Sequence, residues 1–496
     1  MQKTILIQLL LLSFATLCYS LPLSTSSRWI VDGLTGARVK LICANWPGHP
    51  EPMLAEGLNK RPVGEIVRHT ALMGFNCVRL TYATHMFTRY AHLTVTQNFR
   101  RLGLQDEIEG ISHNNPEFLN MTVVEAQTAV IEALGQYGVM VVLDNQVSHP
   151  MWCCSDDDGN GFFGDKYFDP QEWLKGLHIV ANRYKDTSMV VAMSLRNELR
   201  GPLQNETVWR WYMSKGAETI HKANPNSLVL VSGLTYDIDF TFLKKKPLKL
   251  NIKNKIVYEF HRYSFSEGQG PIWLNQSLTK ACDSVMQETQ NKVGFLGEGE
   301  NAAPLFITEF GINQMGTDRA DNLFLACYVS FLAEKDLDWT IWALQGSYYL
   351  RDGLHNPDPS SMGPTYFIMY HPWSGNCMHV DKHSKVHPSD CWSYSKWSHA
   401  GNGNPIRLIG TELCLSAAGD GIPVTLSNNC TGSRSKWQSV SNSKFRLANK
   451  DEDGTYLCLD WDPDYSSRIL TNKCKCLEHD CHPHSQWFKL ISANVE

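Results

Sequence analysis

MVVAMSLRNE, residues 189–198, is the stretch from which the fold of this chain can be predicted. It begins as an apolar run too short for a helix and ends abruptly in polar side chains, as a buried parallel strand does where its carboxyl end opens into a site. The stretch PLFITEFG, residues 304–311, has the same form and also delivers a glutamate, followed by a glycine that can turn the chain. Two such glutamates, Glu198 and Glu309, indicate one shared site. The alternative is that each carboxylate merely meets water at the end of its strand.

Similar apolar runs alternate with amphipathic helices from residue 38 to residue 344. Near-continuous apolar strands that alternate with helices are typical of a parallel sheet, and about eight of them favour a closed α/β (β/α)₈ TIM barrel over an open sheet. No glycine-rich phosphate loop follows any of these runs. The predicted strands are 38–46, 76–82, 138–145, 189–198, 228–233, 256–261, 304–311 and 338–344, and the predicted helices include 62–73, 122–137, 169–184 and 207–222.

Length and charge narrow the class of protein. A chain of 496 residues is too long for one ordinary core, so we expect two domains or one large barrel with an appendage. The net charge of -5 and the absence of any block of like charge give no basic surface for nucleic acid. No segment of the sequence reaches the ~20 apolar residues that a membrane helix needs. We therefore expect neither nucleic acid nor membrane as a partner.

The first twenty residues have the form of a secretory signal peptide: Lys3, an apolar core from Ile5 to about Leu17, and then small residues. Removing Cys18 with this segment leaves an even fourteen of the fifteen cysteines, which an oxidising compartment would allow to pair. We therefore predict a secreted protein, extracellular or in the cell wall. Four Asn-x-Ser/Thr sequons agree with that compartment, at Asn120, Asn205, Asn275 and Asn429.

A threefold repeat occupies the region from Cys377 to Leu490. In each unit two cysteines lie 14 to 16 residues apart, and the unit ends on a Ser-Lys-Trp or Ser-Gln-Trp sequence. Units of roughly 40 residues are too small to hold a core alone, so we predict a pseudo-threefold all-β domain with the tryptophans in its shared core. The predicted pairs are Cys377–Cys391, Cys414–Cys430 and Cys458–Cys474, and the units end at Trp397, Trp437 and Trp487.

These patterns predict four segments: a signal peptide at 1–20, a barrel at 21–350, a linker at 351–372 and an all-β domain at 373–496. No amphipathic stretch after Leu344 is long enough to be the eighth helix of the barrel. The outer face of the last strand must therefore be covered by another part of the chain. We expect either that the segment with Tyr348, Tyr349 and residues 366–370 crosses the seam between the last and first strands, or that the all-β domain docks there.

Several polar side chains lie at or near the carboxyl ends of the predicted strands, where TIM barrels have their sites. Two carboxyl groups that face each other can cleave an acetal if one is protonated and the other is ionised. Arg79 would lower the pKa of one glutamate, while an asparagine beside the other leaves that pKa free to rise. The side chains are Arg79, Asn197, Glu198, His261, Glu309 and Trp342.

This set resembles glycoside hydrolase family 5, the cellulase and mannanase family of retaining barrel enzymes, over roughly residues 28–350. Its most specific parts are the Asn-Glu pair that ends at Glu198, the Thr-Glu-Phe-Gly around Glu309, and the His-x-Tyr that ends at Tyr263. The resemblance implies that Glu198 is the acid/base and Glu309 the nucleophile. It also implies that Tyr263 hydrogen-bonds the nucleophile and that Trp342 is the platform beneath the sugar. The stretch 143–154 looks like a plant-type branch of the family.

Two departures keep a second hypothesis open. Gln146 stands where the family usually has a histidine, and glutamine can hydrogen-bond a sugar hydroxyl but cannot titrate near neutral pH. Together with the missing eighth helix, this residue suggests the alternative of a catalytically impaired carbohydrate-binding protein on the same scaffold. The repeat region resembles the ricin B-type β-trefoil, in which Asp460 matches a sugar-binding aspartate. A sugar-binding role and a purely structural role both remain open for that domain.

The sequence thus predicts a secreted retaining endo-β-glycosidase that hydrolyses a plant-type β-linked polysaccharide by double displacement. The carboxyl groups of Glu198 and Glu309 should lie about 5 to 5.5 Å apart. We expect a monomer that needs no cofactor and no metal. The sequence does not identify the sugar, because pocket contacts rather than strand motifs decide which hydroxyl orientation fits.

Overall fold

The computed structural model describes residues 22–313, 317–348, 366–391, 393–440, 446–462, 468–475, 477 and 483–493. The predicted signal peptide, Tyr349 and most of the predicted linker lie outside these residues. Within the described chain, no helix combines the length and the apolar character that crossing a membrane requires.

The described residues form two compact units. The first contains residues 22–262, 283–311 and 330–348, and the second contains 263–282, 312–329 and the residues from 366 onwards. Two segments of the predicted barrel region therefore belong, by their contacts, to the second unit. The disulfide Cys282–Cys327 joins these two segments to each other.

A short antiparallel hairpin precedes the barrel. Its strands are β1 (Leu23–Ser26) and β2 (Trp29–Asp32). Leu23 and Ile30 are fully buried in the same apolar cluster as Leu41, which immediately precedes the first barrel strand. The hairpin thus closes the amino-terminal end of the barrel, which leaves the carboxyl ends of the strands open for a site.

Eight parallel strands close into a barrel, which confirms the predicted fold class. The first barrel strand pairs with the last, with Ile42 opposite Trp339, and a disulfide joins Cys43 to Cys77 on the first two strands. The strand predicted at 189–198 is shorter in the structure, where it ends at Ser194. The strands are β3 (Ile42–Trp46), β4 (Cys77–Ala83), β5 (Met140–Val147), β6 (Val190–Ser194), β7 (Leu228–Val231), β8 (Ile256–His261), β9 (Leu305–Gly311) and β10 (Asp338–Trp342).

The four predicted helices are present, and the described residues contain six more that were not predicted. The helix at 123–136 begins with a capping box, in which Thr122 and Glu125 each accept a hydrogen bond from the other's backbone N–H. The helices are α1 (Val63–Leu72), α2 (Thr84–Thr88), α3 (Val95–Arg101), α4 (Gln105–Asn114), α5 (Val123–Gln136), α6 (Pro170–Arg183), α7 (Glu206–Ala223), α8 (Gly270–Asn275), α9 (Leu278–Val293) and α10 (Arg319–Glu334). Short 3₁₀ turns lie at Pro116–Asn120, Thr241–Leu243, Ser266–Gly268, Gly294–Gly297, Ser433–Ser435 and His484–Gln486.

Tyr348 crosses the seam of the barrel, as one of the two expectations for this segment required, whereas residues 366–370 instead form a strand that pairs with residues 489–493. Its ring packs edge-on against Phe99 at a centroid distance of 5.0 Å. Its hydroxyl donates to Ala55 O and accepts from the Leu58 N–H, both in the loop that follows β3. Residues 343–348 contain no helix. The buried Tyr348 thus links the segment after the last barrel strand to the loop that follows the first barrel strand.

The carboxyl-terminal region is all-β, and its strand pairings in the described chain are antiparallel. The predicted disulfides Cys377–Cys391, Cys414–Cys430 and Cys458–Cys474 are confirmed. The strands are β11 (Tyr366–His371), β12 (Asn376–Val380), β13 (Val386–Ser389), β14 (Trp397–His399), β15 (Asn404–Leu408), β16 (Cys414–Ser416), β17 (Ile422–Pro423), β18 (Thr425–Ser427), β19 (Lys436–Ser439), β20 (Leu447–Lys450), β21 (Tyr456–Trp461), β22 (Ile469–Lys473) and β23 (Lys489–Ala493).

The third repeat unit closes one residue later than predicted. Trp397 and Trp437 are fully buried in the shared core of this region, as expected. Their counterpart in the third unit is Phe488, which is 1% exposed, whereas Trp487 is only half-buried. The assignment of Trp487 to the core was therefore wrong. The aromatic ring that fills the core sets the register of the unit, so Gln486–Phe488 matches the earlier Ser-Lys-Trp sequences.

Candidate active site

Arg79 lies at the centre of the barrel and is fully buried. Its Nη1 donates to Glu309 Oε1 at 2.8 Å, and its Nη2 donates to Asp144 Oδ1 at 2.8 Å and to Asn197 Oδ1 at 2.9 Å. Burial alone would lower the pKa of Arg79, but the neighbouring carboxyl groups raise it above its ordinary value. The guanidinium is therefore a fixed positive charge that orients side chains from three other strand ends.

Glu309 lies within β9, and its side chain is 5% exposed. One oxygen accepts from Arg79, and the other, Oε2, is 3.8 Å from His261 Nδ1. The strand continues through Gly311, which lies opposite Trp342 on β10. A Cβ at Gly311 would lie 2.7 Å from Trp342 O, so this glycine is needed for close approach of two strands rather than for a turn.

Glu198 lies four residues beyond the end of β6 and adopts a φ of 44°, in the left-handed region. Its backbone N–H donates to Asp237 Oδ2 at 3.0 Å. Its side chain is 13% exposed, and removal from water raises its pKa to about 7, against the opposing effects of Arg200 and Arg79. A carboxyl group with this pKa can hold its proton near neutral pH and release it to a substrate.

His261 connects the two glutamates. It is 1% exposed, and burial lowers its pKa to about 3, so the ring is neutral. Its Nε2 is 3.0 Å from Thr308 Oγ1, and that hydroxyl donates to Glu259 Oε2. Thr308 can then only accept from the ring, which leaves His261 Nδ1 as an acceptor 2.9 Å from Glu198 Oε1. This arrangement favours the protonated form of Glu198.

The two glutamates approach each other across the mouth of the barrel. One carboxylate oxygen of Glu198 and one of Glu309 lie within 4.8 Å of each other and of a His261 ring nitrogen. This close approach of the nearest oxygens is compatible with the carboxyl spacing of about 5 to 5.5 Å that is typical of retaining glycosidases.

The family can now be assigned from comparisons with known proteins. The family model described as cellulase, glycosyl hydrolase family 5, matches residues 40–347, which is more than half of the chain. This chain belongs to glycoside hydrolase family 5. It is 43% identical to a glycosyl hydrolase 5 family protein of Chamaecyparis obtusa, over 99% of this chain and 97% of the relative. The protein is therefore a glycoside hydrolase.

More distant similarities cover about two thirds of this chain. An endoglucanase of Paenibacillus polymyxa is 22% identical over 64% of this chain and 79% of its own length. An endocellulase from Pyrococcus horikoshii, solved as a complex with cellotetraose, superposes with a TM-score of 0.53 at 19% identity and covers 67% of this chain and 93% of its own. At that identity the likeness shows the fold alone.

Three buried carboxyl groups of the hydrolase lie below the glutamates and were not predicted. Asp144, Asp237 and Glu259 are 0% exposed. Burial and the neighbouring Glu259 carboxyl group raise the pKa of Asp144 to about 8 and that of Asp237 well above its ordinary range, against the opposing effect of Arg79. Glu259 could have been found from the sequence, since it precedes His261 by two residues and so points to the same side of β8. Asp237 lies in a loop with no comparable signal.

The remaining predicted site residues lie in different surroundings. Trp342 ends β10, half-buried, with its ring 6.1 Å from that of Trp152. Gln146 lies on β5 and is 3% exposed, and its Oε1 has no hydrogen-bond partner in the described chain. Tyr263 follows β8, and its ring stacks on Phe265 at 5.2 Å. Its predicted bond to the nucleophile stays a prediction.

Asp460 lies on β21 of the carboxyl-terminal region and is 2% exposed. Its Oδ2 accepts from Gln486 Nε2 at 2.9 Å and from Asn472 Nδ2 at 3.1 Å, and Lys475 Nζ is 3.4 Å away. The aspartate is thus held by the residues that close the third repeat unit, and its role in sugar binding stays a prediction.

Potential metal ligands do come together in this site. Glu198, His261 and Glu309 form one group, and Asp237, Glu259 and His261 form another, each with its ligand atoms within 4.8 Å. In both groups His261 already uses its two ring nitrogens in contacts with Glu198 and Thr308. The expectation that the hydrolase needs no metal stays a prediction.

We predict that Asp237→Ala lowers kcat about tenfold or more, whereas Asp237→Asn keeps most of the rate. Alanine leaves the Glu198 N–H without its acceptor at a backbone held in the left-handed region, a loss of about 1–3 kcal/mol. Asparagine keeps an acceptor of the same reach and resembles a protonated aspartate. Steady-state kinetics and thermal unfolding of both variants provide the measurement. Equal rates for the two variants would show that Asp237 does not position Glu198.

Proposed function

We propose that the hydrolase is a secreted, monomeric, retaining endo-β-glycosidase that cleaves a plant-type β-linked polysaccharide. The observation that carries this proposal is the approach of Glu198 and Glu309 within 4.8 Å in different environments. Glu309 faces the fixed charge of Arg79, while Glu198 faces the acceptor nitrogen of a neutral histidine. Glu309 thus has a fixed cationic partner, whereas the raised pKa of Glu198 lets that carboxyl group hold its proton near neutral pH.

The reaction takes two steps. Glu309 attacks the anomeric carbon while Glu198 gives its proton to the leaving oxygen, so that the glycosidic bond breaks and a glycosyl ester forms on Glu309. Glu198, now ionised, then takes a proton from water, which attacks the same carbon and releases Glu309. Two inversions leave the product with the anomeric configuration of the substrate.

Several features support binding of a polysaccharide chain. The indole rings of Trp152 and Trp342 lie 6.1 Å apart beside the glutamates and offer flat apolar faces for sugar rings. The buried Gln146 Oε1 can accept a hydrogen bond from a sugar hydroxyl, which suits binding rather than proton transfer. Since distant relatives are an endoglucanase and an endocellulase bound to cellotetraose, a β-linked glucan is the first substrate to test.

Secretion and a lectin-like role for the carboxyl-terminal region belong to the same proposal. Six disulfides lie within the described residues, as expected of an oxidising compartment outside the cell or in the cell wall. The three-unit core with its three equivalent disulfides supports a ricin B-type β-trefoil. There Asp460, oriented by Gln486 and Asn472, is the candidate sugar-binding residue.

The test is a panel of soluble β-glucans, β-mannans and other β-linked polysaccharides with detection of new reducing ends. We expect internal cleavage, seen as a rapid fall in viscosity, of at least one β-linked polymer. Proton NMR at early times should show the β-anomer of the new reducing end first. If the protein binds a polymer of the panel but releases no reducing ends from any, it is the catalytically impaired carbohydrate-binding protein instead. A first product with the α-configuration would exclude the double displacement.

A further inference from the structure

Adjacent cysteines form a disulfide at the edge of the candidate active site. Cys153 and Cys154 lie in the loop after β5 and are bonded to each other. Their sulfur atoms and a carboxylate oxygen of Glu198 lie within 4.8 Å of one another. Cys153 and Cys154 are both half-buried. In each of the other five disulfides of the described residues, at least one cysteine is buried. The bond is thus part of the accessible cleft.

A role in stability does not explain this disulfide. A crosslink stabilises mainly by restricting the unfolded chain, and the effect grows with the length of the loop that it closes. The Cys153–Cys154 bond joins neighbours in the sequence, whereas Cys43–Cys77 closes a separation of 34 residues. The adjacent pair therefore restricts the unfolded chain very little, and its value must lie in the local structure of the folded cleft.

The loop that carries the pair is fixed on both sides. On one side Trp152 packs between the ring of His49, at 5.9 Å, and that of Trp342, at 6.1 Å. On the other side the buried Arg200 donates to Ser155 O at 2.9 Å and to Glu198 O at 2.7 Å. The disulfide is thereby held at a set position relative to Glu198.

Asn197 is the side chain that the disulfide contacts. Its Oδ1 accepts from Arg79, which fixes the amide so that Nδ2 points away from the guanidinium. Nδ2 lies 3.7 Å from Cys153 Sγ and 3.6 Å from Cys154 Sγ. Disulfide sulfur is a weak acceptor, and Asn197 is 0% exposed. The disulfide therefore covers the amide and holds the residue that immediately precedes Glu198.

We propose that the Cys153–Cys154 disulfide is a positioning element that packs against the sugar bound between Glu198 and Glu309 and, through the Asn197 amide, holds Glu198 in place. The proposal rests on the proposed glycosidase function. A polarisable sulfur surface matches the apolar C–H face of a sugar ring. The sugar packs on the disulfide, and the buried amide behind the disulfide fixes the chain that carries Glu198.

The test compares the wild-type hydrolase with the double variant Cys153→Ser/Cys154→Ser on an aryl β-cellobioside and an aryl β-mannobioside. We expect kcat/KM to fall about 10- to 100-fold, the scale of a small misplacement of a binding group. The melting temperature should change by less than about 2 °C, because the bond closes almost no loop. The matched control Cys377→Ser/Cys391→Ser removes a disulfide of the carboxyl-terminal region and should leave kcat/KM unchanged.

A second comparison tests whether the disulfide acts through Asn197. The variant Asn197→Ala should lose activity, and adding Cys153→Ser/Cys154→Ser to it should cause little further loss, since residues that act together are not additive. The alkaline limb of the pH–rate profile, which depends on Glu198, should shift in the same direction in both variants. Additive losses, or an unchanged rate in the double cysteine variant, would overturn the inference while leaving the glycosidase function intact. Mass spectrometry showing free thiols at both cysteines would also overturn it. Failure of the wild type itself to cleave any β-glycoside would instead overturn the proposed function.

Discussion

Replacing Glu309 by glutamine is expected to lower kcat by about 10⁴-fold or more, which corresponds to roughly 5.5 kcal/mol of transition-state stabilisation. Glutamine keeps the shape of the side chain and can still accept from Arg79 Nη1, so the barrel should fold and the sugar should bind. It cannot form the glycosyl ester, because an amide is a very weak nucleophile. Initial rates on the best polymer of the panel and calorimetric titration of an oligosaccharide measure the two quantities separately.

The matched control for this prediction is Glu334→Gln. Glu334 ends α10 with its side chain 71% exposed, so the same chemical change there should leave kcat unaltered. Glu309→Ala should behave like Glu309→Gln in turnover while retaining binding. If either Glu309 variant keeps most of the wild-type rate, the nucleophile has been assigned to the wrong residue.

Replacing Glu198 by alanine is expected to lower kcat/KM about 10²- to 10⁴-fold on polysaccharide, the range typical of general acid–base catalysis. The loss should depend on the leaving group. A dinitrophenol leaves without a proton, so the first step on a dinitrophenyl glycoside should be nearly normal and the glycosyl-enzyme should accumulate. A small anion such as azide, which needs no general base, should then restore turnover. A uniform loss across leaving groups would contradict the role of Glu198 as the acid.

The same assignment predicts the direction of the pH dependence. Burial raises the pKa of Glu198 to about 7, and the acid must be protonated to act. Activity on polysaccharide should therefore be retained below that pH and lost as the pH rises through about 7. This alkaline limb should be absent from Glu198→Ala on a substrate with a good leaving group. A wild-type profile that is flat from pH 6 to 8 would be incompatible with this acid.

Much of the barrel and both glutamates could be predicted because their signals are local. A short apolar run followed by a charged residue identifies a buried strand and the approximate position of its carboxyl end, as near Glu198 and Glu309. Arg79 was identified for the same reason, since a charged residue inside an apolar strand requires buried partners. The three disulfides of the carboxyl-terminal region followed from the repeat itself.

The features that sequence reasoning missed depend on contacts between distant segments. Asp237 could not be recognised from the sequence, because the Glu198 N–H that it accepts from lies 39 residues away in the chain and its own loop contains no motif. The amino-terminal hairpin closes the barrel through Leu23 and Ile30, and each is an ordinary apolar residue in the sequence. The register of the third repeat unit was wrong because Trp487 and Phe488 are adjacent aromatics, and only packing decides which one enters the core.

A covalent intermediate on Glu309 is the most direct measurement of the central claim. The wild-type hydrolase is incubated with an activated 2-deoxy-2-fluoro glycoside of the sugar that the panel identifies. The fluorine slows both formation and hydrolysis of the ester, whereas the good leaving group speeds formation alone, so the ester accumulates. After peptic digestion, mass spectrometry should find one fluoroglycosyl group on the peptide that contains Glu309, with parallel loss of activity. An adduct on another residue, or full inactivation with no adduct, would contradict the double displacement through Glu309.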